Sequence, residues 1–251
     1  MEILIYIIGG IIAGIATGLV GLSAATIIAP LFATMLGMDP YLAIGIALAS
    51  DVFASATSAT NYIKNKNIDL KNASGIAVSV VLFTVIASYL SFSTKPETLN
   101  TSINIFVFIL GIRFLVYPVK DRRKDKVLTN KWLYLETIFW GALIGYISGH
   151  FGAGGGLSLL ALLTMRLGYD LKTGVGTSVF IMAFIAFVGA VVHIIVGGTL
   201  LLPLIITSIS AFIGANVASK YANKVDAAKL NKIIGIFLLI YGSSLIIVYF
   251  W

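Results

Sequence analysis

The 251-residue chain contains no cysteine and few charged side chains. Without cysteine it has no disulfide bonds, thiolate metal sites, iron–sulfur clusters or cysteine nucleophile. Charged residues make up 11% of the chain and apolar residues 59%, which leaves too little polar surface for a soluble domain of this length. The composition therefore predicts an integral membrane protein.

Motifs for catalysis, metal binding and nucleotide binding are also missing. The chain has no His-Glu-x-x-His pattern and no phosphate-binding loop, and only Asp51 places a carboxylate deep within an apolar segment. The net charge of +7 comes from Lys and Arg in short gaps between apolar runs, unlike the basic face of a nucleic-acid-binding domain. We therefore expect no enzyme activity, no cofactor, no metal and no nucleic-acid partner.

Ten apolar stretches follow one another, separated by polar residues or by glycine and proline. They span residues 3–17, 23–36, 41–63, 73–92, 102–119, 132–148, 157–167, 173–196, 200–219 and 230–249. A helix needs about 20 apolar residues to cross a bilayer, so the last three stretches of each half are long enough and the first two fall short. The N-terminus runs directly into the first stretch without a basic region or a cleavage site, which indicates a retained helix.

The two halves of the chain form an internal repeat, offset by about 131 residues without a gap. Matches between apolar residues are common by chance in membrane segments, but aligned glycine, aspartate and asparagine residues are not. These matches pair Gly10 with Gly141, Gly14 with Gly145, Gly18 with Gly149, Gly21 with Gly152, Asp39 with Asp170 and Asn100 with Asn231. We therefore expect two duplicated membrane regions, residues 1–119 and 132–251, joined by the charged linker 120–131.

The basic residues indicate that the two halves are inserted in opposite directions, because cytoplasmic loops retain Lys and Arg. All of these residues except Lys95 and Arg113 fall in four loops: Lys64 to Lys71, the linker, Arg166 to Lys172, and Lys220 to Lys232. The loop around Lys66 corresponds in the repeat to the uncharged Gly197-Gly198-Thr199, so equivalent loops lie on opposite sides. We expect an all-α inverted repeat, each half with a short glycine-broken hairpin and three spanning helices, with a cytoplasmic linker and both termini outside.

Glycine-rich turns join the short segments, at Gly18 to Gly21 and at Gly149 to Gly156. Non-helical backbone survives inside a membrane only where protein or a wet cavity surrounds it, so we expect the two turns to meet near the midplane. A helix that begins at such a turn directs free N–H groups and its positive dipole end inward, which favours an anion. The alternative is that the glycines only allow close helix packing. We favour packing for four glycines that precede the turns: Gly10, Gly14, Gly141 and Gly145.

The second half carries the pattern Gly149-x-x-Gly152-Ala153-Gly154-Gly155-Gly156, then Gly168, Gly174-Val175-Gly176-Thr177-Ser178, His193 and Gly197. This pattern resembles that of the sulfite exporter TauE/SafE family, and the resemblance covers essentially the whole chain. It implies transport of small sulfur-containing anions, such as sulfite, sulfonates or sulfoacetate, across the cytoplasmic membrane of a prokaryote. The first half departs from the pattern, with Gly21-Leu22-Ser23-Ala24-Ala25 at the turn and Asn61 where the family frequently has a histidine.

The candidate substrate-binding residues lie in and beside the turns, where backbone N–H groups and hydroxyls can hold an anion. They are Gly21, Ser23, Thr26, His150, Gly152, Ala153, Gly154, Gly155, Gly156, Thr177 and Ser178. For the hydroxyl side chains the alternative is hydrogen bonding between helices. For His150 the alternative is anchoring at the membrane interface.

Three polar residues are candidates for a proton or polar relay: Asp51, Asn61 and His193. A carboxylate at the depth of Asp51 suits a proton or cation relay, and its alternative is structural hydrogen bonding to nearby Ser and Thr. His193 can donate to an anion or shuttle a proton, and its alternative is a histidine satisfied by a backbone carbonyl.

These features predict a secondary transporter that moves a small anion by alternating access. The resemblance implies export of a sulfur oxyanion or organosulfonate, such as sulfite or sulfoacetate. The expected partners are this anion, the lipid bilayer and protons as the coupling ion. A passive anion channel is the main alternative, since a pore also uses backbone amides and hydroxyls, and an intramembrane enzyme is a weaker one. The oligomeric state is left open, a homodimer included.

Overall fold

The computed structural model describes residues 1–90, 108–109, 112, 115–117, 131–151, 155–197 and 199–250. Helices account for nearly all of these residues, and no strand occurs among them. The helices are α1 (Glu2–Val20), α2 (Ala25–Met35), α3 (Pro40–Lys64), α4 (Leu70–Leu90), α5 (Lys131–Phe151), α6 (Gly155–Ala161), α7 (Leu171–Gly197), α8 (Leu201–Lys224) and α9 (Ala227–Phe250). A π-helical turn, Leu162–Arg166, continues α6. The predicted all-α class is confirmed.

The first helix is longer than its apolar run predicts. The expected segment 3–17 is too short to cross a bilayer, whereas α1 has 19 residues and meets the length and hydropathy of a membrane span. The reason is that Gly18 remains helical and the chain turns only after Val20. Helix α2 has 11 residues and is short, as expected. The expectation that both arms of this hairpin fall short is therefore wrong for α1.

Four of the described helices are long and apolar enough to span a membrane: Glu2–Val20, Pro40–Lys64, Leu171–Val196 and Leu201–Lys224. Helix α8 shows how such a helix is embedded. Its large apolar side chains, such as Ile209 and Phe212, are exposed, whereas the small Ser208, Ala211 and Ala215 are buried. Small residues inside and large apolar residues outside are typical of helices that pack together in lipid. The chain is a polytopic membrane protein.

Helices α3 and α7 are equivalent in the repeat, and they pack side by side in opposite directions. Gly45, near the start of α3, lies against His193, near the end of α7. Gly176, near the start of α7, lies against Tyr62, near the end of α3. Two equivalent helices that run antiparallel place the two halves in opposite orientations, so the predicted inverted repeat is confirmed.

Helix α1 packs in parallel along α8, which belongs to the other half. Gly10 contacts the backbone of α8 at Thr207, and Gly18 contacts it about two helical turns further on, at Ala215. A Cβ at Gly14 would collide with the carbonyl oxygen of Ala211. The glycine stripe therefore allows the two backbones to approach closely, as expected from its spacing.

The equivalent pair, α4 and α5, repeats this arrangement. Gly141 on α5 lies against Ser79 on α4, and Gly149 lies against Thr84, so these helices also run parallel. In each pair, the first helix of one half packs along a later helix of the other half. The two halves are thus interlocked rather than placed side by side.

The basic loops meet on one face of the bundle, called here the basic face. The Asn67 side chain, after α3, donates to Asn223 near the end of α8 at 2.7 Å, and the Lys172 Nζ at the start of α7 donates to the Asn223 carbonyl at 3.0 Å. Because α1 is parallel to α8, it begins on the opposite face, and α2 returns there to lead into α3. The second hairpin, formed by α5 and α6, enters from the basic face. The hairpins therefore enter from opposite faces, as predicted.

Candidate functional site

The first helix break lies between α1 and α2, at residues 21–24. Gly21 ends α1 with φ 72°, a left-handed conformation that favours glycine, and its N–H donates to the Thr17 carbonyl at 3.0 Å. This is an ordinary glycine helix end, placed inside the bundle. The following residues, Leu22 and Ser23, are buried, so their backbone polar groups are shielded from both lipid and water.

The carboxylate of Asp51, which belongs to helix α3, lies at the N-terminal end of α2. Asp51 lies near the middle of α3 and is fully buried. It accepts hydrogen bonds from the Ser23 hydroxyl at 2.5 Å and from the Ser55 hydroxyl at 2.8 Å. Ser23 immediately precedes Ala24, the N-cap residue of α2, which has no side-chain cap of its own, so the Asp51 carboxylate lies beside the start of α2. A negative charge here is also favoured by the dipole of α2.

The free carbonyls around the first break are satisfied by two phenols. The Tyr62 hydroxyl donates to the Gly18 carbonyl at 3.1 Å, which has lost its helical partner because α1 ends at Val20. The Tyr241 hydroxyl donates to the Thr26 carbonyl at 2.5 Å. That carbonyl lacks its usual partner because Pro30, four residues on, has no N–H. Two tyrosine side chains therefore donate hydrogen bonds to these two carbonyls at the first break.

The start of α6, which follows the second break, touches the first helix break. A Cβ at Gly156, near the start of α6, would collide with the Gly21 carbonyl oxygen and lie 2.9 Å from the Ser23 nitrogen. On the other side of the first break, a Cβ at Gly21 would lie 2.5 Å from the Ser178 hydroxyl of α7. Glycine at positions 21 and 156 is thus required for the close approach of the two breaks. This contact matches the expectation that the broken backbones meet inside the bundle.

The second helix break precedes α6, and Gly152, Ala153 and Gly154 lie outside the described residues. The side chain of His150 lies outside them as well. On the described side of the break, the backbone of Gly155 lies against the Ser148 side chain, and a Cβ there would be 3.3 Å from the Met182 sulfur. The Ser148 hydroxyl is buried and makes no hydrogen bond.

The other predicted site residues lie at different distances from the breaks. Thr26 is buried in the first turn of α2, beside the first break. Thr177 is buried on α7, where its hydroxyl accepts from the backbone N–H of Asp69 at 3.2 Å. It therefore joins α7 to the loop after α3, whereas the neighbouring Ser178 faces Gly21.

Asn61 and His193 lie away from both breaks. The Asn61 amide donates to Asn216 at 3.1 Å and to Ser219 at 2.8 Å, which joins α3 to α8. The His193 Nδ1 lies 2.9 Å from the Gly189 carbonyl, and its ring stacks on Tyr41 with centroids 4.4 Å apart. The sequence suggested both side chains as members of a relay, and in the structure both make contacts that a purely structural role also explains.

Sequence reasoning missed two residues at the breaks, Ser148 and Met182. The repeat register contains a signal for both, because it pairs Met182 with Asp51 and Ser148 with Thr17. Thr17 donates to its own helix, at the Ala13 carbonyl, whereas Ser148 has no partner. The hydrogen bonding of these two equivalent residues differs, which shows that the two halves have diverged at this position.

A family model described as "Sulfite exporter TauE/SafE" matches residues 6–245. The "Probable membrane transporter protein YunE" of Bacillus subtilis is 24% identical to this chain, over 98% of each protein. A "Probable membrane transporter protein" of Haemophilus influenzae is 26% identical, over 92% of this chain and 90% of its own length. No solved structure matches the chain.

Proposed function

Because this chain belongs to the sulfite exporter TauE/SafE family, it is a membrane transporter, and we propose that it exports a small anion by alternating access. The proposed substrate is a sulfur oxyanion or an organosulfonate, such as sulfite or sulfoacetate. The proposed location is the cytoplasmic membrane of a prokaryote, with the basic face in the cytoplasm and both termini outside.

The observation that carries this proposal is the contact between the two helix breaks. Hairpins that enter from opposite faces meet at Gly21, Ser23 and Gly156, inside the bundle. Inverted repeats with broken helices at their interface are the usual framework of carriers that bind substrate at the midplane and open to each side in turn. In the proposed cycle this contact opens to each face in turn.

We infer that the substrate is held by backbone N–H groups and hydroxyls of the breaks. The proposed set combines Ser23, Thr26 and Ser178 with Gly21 and with the second break from His150 to Gly156. Thr177, the neighbour of Ser178 on α7, remains in this set as the sequence predicts. We propose that oriented backbone amides and hydroxyls, rather than basic side chains, attract the anion.

Asp51 is the proposed site of proton coupling. It is buried, it belongs to the first break, and it shares Ser23 with the region where the anion is proposed to bind. A negative Asp51 repels an anion in that region, so protonation of Asp51 and anion binding favour each other. The phenols bound to this hairpin, Tyr62 and Tyr241, act as donors to backbone carbonyls. Asn61 and His193 lie away from the breaks, so we do not assign the coupling step to them.

Reconstitution in liposomes tests the proposed function. Uptake and counterflow are measured with sulfite, thiosulfate, sulfoacetate, taurine, sulfate and chloride, with and without a pH gradient. We expect saturable counterflow of at least one sulfur-containing anion. Transport of none of them contradicts the proposed substrate class. Flux that rises linearly with driving force, without counterflow, identifies a passive channel instead.

A further inference from the structure

One face of α3 carries a row of hydroxyl side chains that begins at Asp51. Asp51, Ser55, Ser58 and Tyr62 follow one another at spacings of four, three and four residues, and all four are fully buried. At 3.6 residues per turn they lie within about 60° of one another around the helix axis. The Tyr62 hydroxyl donates to the Gly18 carbonyl, so this face points toward the end of α1. The three residues after Asp51 are called here the hydroxyl row.

The hydroxyl row leads from Asp51 to the basic face. Ser55 donates to Asp51 at 2.8 Å, and Tyr62 is the last buried residue of α3 before the exposed residues 63–66. In the other direction, the same face of α3 carries apolar side chains, those of Ala47, Ile44 and Pro40. Along α3, Asp51 therefore has polar neighbours toward only one face of the membrane.

Ser58 is the unusual member of the row. A serine inside a helix can donate to the carbonyl four residues earlier, as Ser50 does to Ile46 at 2.9 Å. The Ser58 hydroxyl is buried and has no partner, which costs free energy. Ser58 stands three residues from Ser55, a spacing that places helical Cβ atoms about 5–6 Å apart. One hydroxyl rotation or one bridging water therefore joins the two side chains.

The repeat provides an internal comparison for the row. The positions of α7 that correspond to Asp51 and to the two serines are apolar: Met182, Ala186 and Gly189. The counterpart of Tyr62 is His193, which is polar. Because α7 runs antiparallel to α3, a polar row on α7 would lead to the face opposite the basic face. The row on α3 thus has no equivalent that leads to the other side.

The other titratable groups near α3 lie away from Asp51. Helix α2 has none, and Tyr241 of α9 donates to the Thr26 carbonyl. Those of α1, α3, α7 and α8 lie toward the helix ends: Glu2, Tyr6, Tyr41, Tyr62, Lys64, Lys172, His193, Lys220, Tyr221 and Lys224. Among the described residues, the side chains that hydrogen-bond to Asp51 are the neutral Ser23 and Ser55. A proton therefore reaches Asp51 past neutral groups.

We propose that Ser55 and Ser58 form a proton path between Asp51 and the basic face, and that Tyr62 closes this path in the conformation described here. The inference rests on the proposed coupling role of Asp51 and specifies the side from which its proton is exchanged. Ser58 accepts a proton from water at the basic face and passes its own to Ser55, which passes its own to the Asp51 carboxylate. Release reverses these steps, so only Asp51 changes charge. A helical side chain covers the preceding turn, so the Tyr62 ring covers Ser58 until the bond to Gly18 breaks.

Proton exchange in the purified full-length protein tests this path without requiring transport. After a rapid pH jump, the Asp51 carboxyl is followed by its infrared band, which the Asp51→Asn protein lacks. Ser58→Ala breaks no hydrogen bond, so its Tm should be unchanged, and it should slow the change of this band about tenfold or more. Ser58→Thr keeps the hydroxyl and should exchange at the original rate. Equal rates in Ser58→Ala and the unaltered protein overturn the proposal, as does the absence of a band specific to Asp51.

Thr207→Val is the matched control. It also removes a buried hydroxyl that has no partner, but Thr207 lies on α8 beside Gly10, near the start of α1. Gly10 is about 16 Å along α1 from Gly21 at 1.5 Å per residue. Proton exchange at Asp51 should be unchanged in this variant. A decrease as large as that in Ser58→Ala contradicts a specific path.

Membrane vesicles test the side of access and separate this inference from the proposed function. In the proposed orientation, inside-out vesicles carry the basic face outward. Sulfite counterflow in these vesicles should respond several-fold less to external pH in Ser58→Ala, with exchange at equal pH unchanged. In right-side-out vesicles Ser58→Ala should match the unaltered protein, and an effect there alone overturns the direction of the path.

The remaining outcomes distinguish the two proposals. A pH response that is lost in Asp51→Asn but complete in Ser58→Ala supports the coupling role of Asp51 and rejects the path. Slower proton exchange in Ser58→Ala, combined with no anion transport in liposomes, supports the path and contradicts the transporter mechanism.

Discussion

Asp51 makes its hydrogen bond to Ser23 across 28 positions of the sequence. A carboxylate at membrane depth is expected to have a reason, and the sequence alone identified Asp51 as such a residue. Its partner Ser55, one turn along the same helix, is a nearby hydroxyl of the kind that the sequence offered, but Ser23 was not predictable, because that contact depends on how the break before α2 folds back onto α3. The same limit applies to Asn61, whose partners Asn216 and Ser219 come from the other half of the chain. Sequence reasoning finds costly polar residues but not the distant groups that satisfy them.

Replacement of Asp51 by asparagine should abolish the effect of a pH gradient on transport while anion exchange continues. Asparagine keeps an oxygen that can accept a hydrogen bond from the Ser23 or Ser55 hydroxyl, but its amide does not take up or release a proton over the pH range of the experiment. The measurement is counterflow of sulfite in liposomes at several external pH values. Asp39→Asn is the matched control, because Asp39 is exposed and caps α3 through Tyr41 and Leu42, a role that asparagine also fills. A pH dependence that survives in Asp51→Asn rejects Asp51 as the relay.

At the scale of helices, the glycine stripes decide which faces pack. Membrane helices are apolar on nearly all sides, so the hydrophobic pattern does not show which side faces protein. The spacing of Gly10, Gly14 and Gly18 does show it, and packing was correctly predicted for this stripe. The helix ends were less predictable. Gly18 was expected to begin the turn, but it remains helical in the structure. Its close contact with α8 favours an intact helix at this position.

The stripe gives a prediction for stability. Gly14→Ala should lower the free energy of unfolding by about 1–3 kcal/mol, because its Cβ meets backbone atoms of Ala211 that belong to a packed helix and cannot move aside. Gly75→Ala on α4 is the control, since nothing lies within 4 Å of its Cβ. It should be neutral or stabilise the helix by about 0.5–1 kcal/mol. Thermal unfolding in detergent compares the two, and an equal Tm for both would show that the stripe is not tightly packed.

At the scale of the whole molecule, the inverted repeat was predictable from the internal repeat together with the positions of the basic residues. Lys and Arg occupy non-equivalent loops of the two halves, and the structure brings the loops around Asn67, Lys172 and Asn223 together on one face. The interlocking of the halves was not predictable, because an internal repeat reveals which helices are equivalent but not which of them pack together. The pairs α1 with α8 and α4 with α5 required the three-dimensional structure.

The natural absence of cysteine makes the inversion directly testable. Asn65→Cys places a thiol on the basic face, and Leu200→Cys places one in the loop before α8, on the opposite face. The two sites lie in loops that the repeat makes equivalent. A membrane-impermeant maleimide added to intact cells should label Leu200→Cys and should label Asn65→Cys only after the membrane is opened. Labelling of both sites from the same side would mean that the halves are inserted in the same direction.

The pairing of α1 with α8 also has a consequence for biosynthesis. Gly10 and its neighbour Thr207 are separated by almost the full chain, so α1 enters the bilayer long before its partner exists. At about 5–20 residues per second, roughly 10–40 seconds pass between the synthesis of the two helices. During this interval the glycine stripe of α1 faces lipid or the insertion machinery. Helix α4 must likewise wait for its partner α5. Neither half can reach its final packing until translation of the other is nearly complete. The rate of translation therefore limits how soon the complete helix bundle can form.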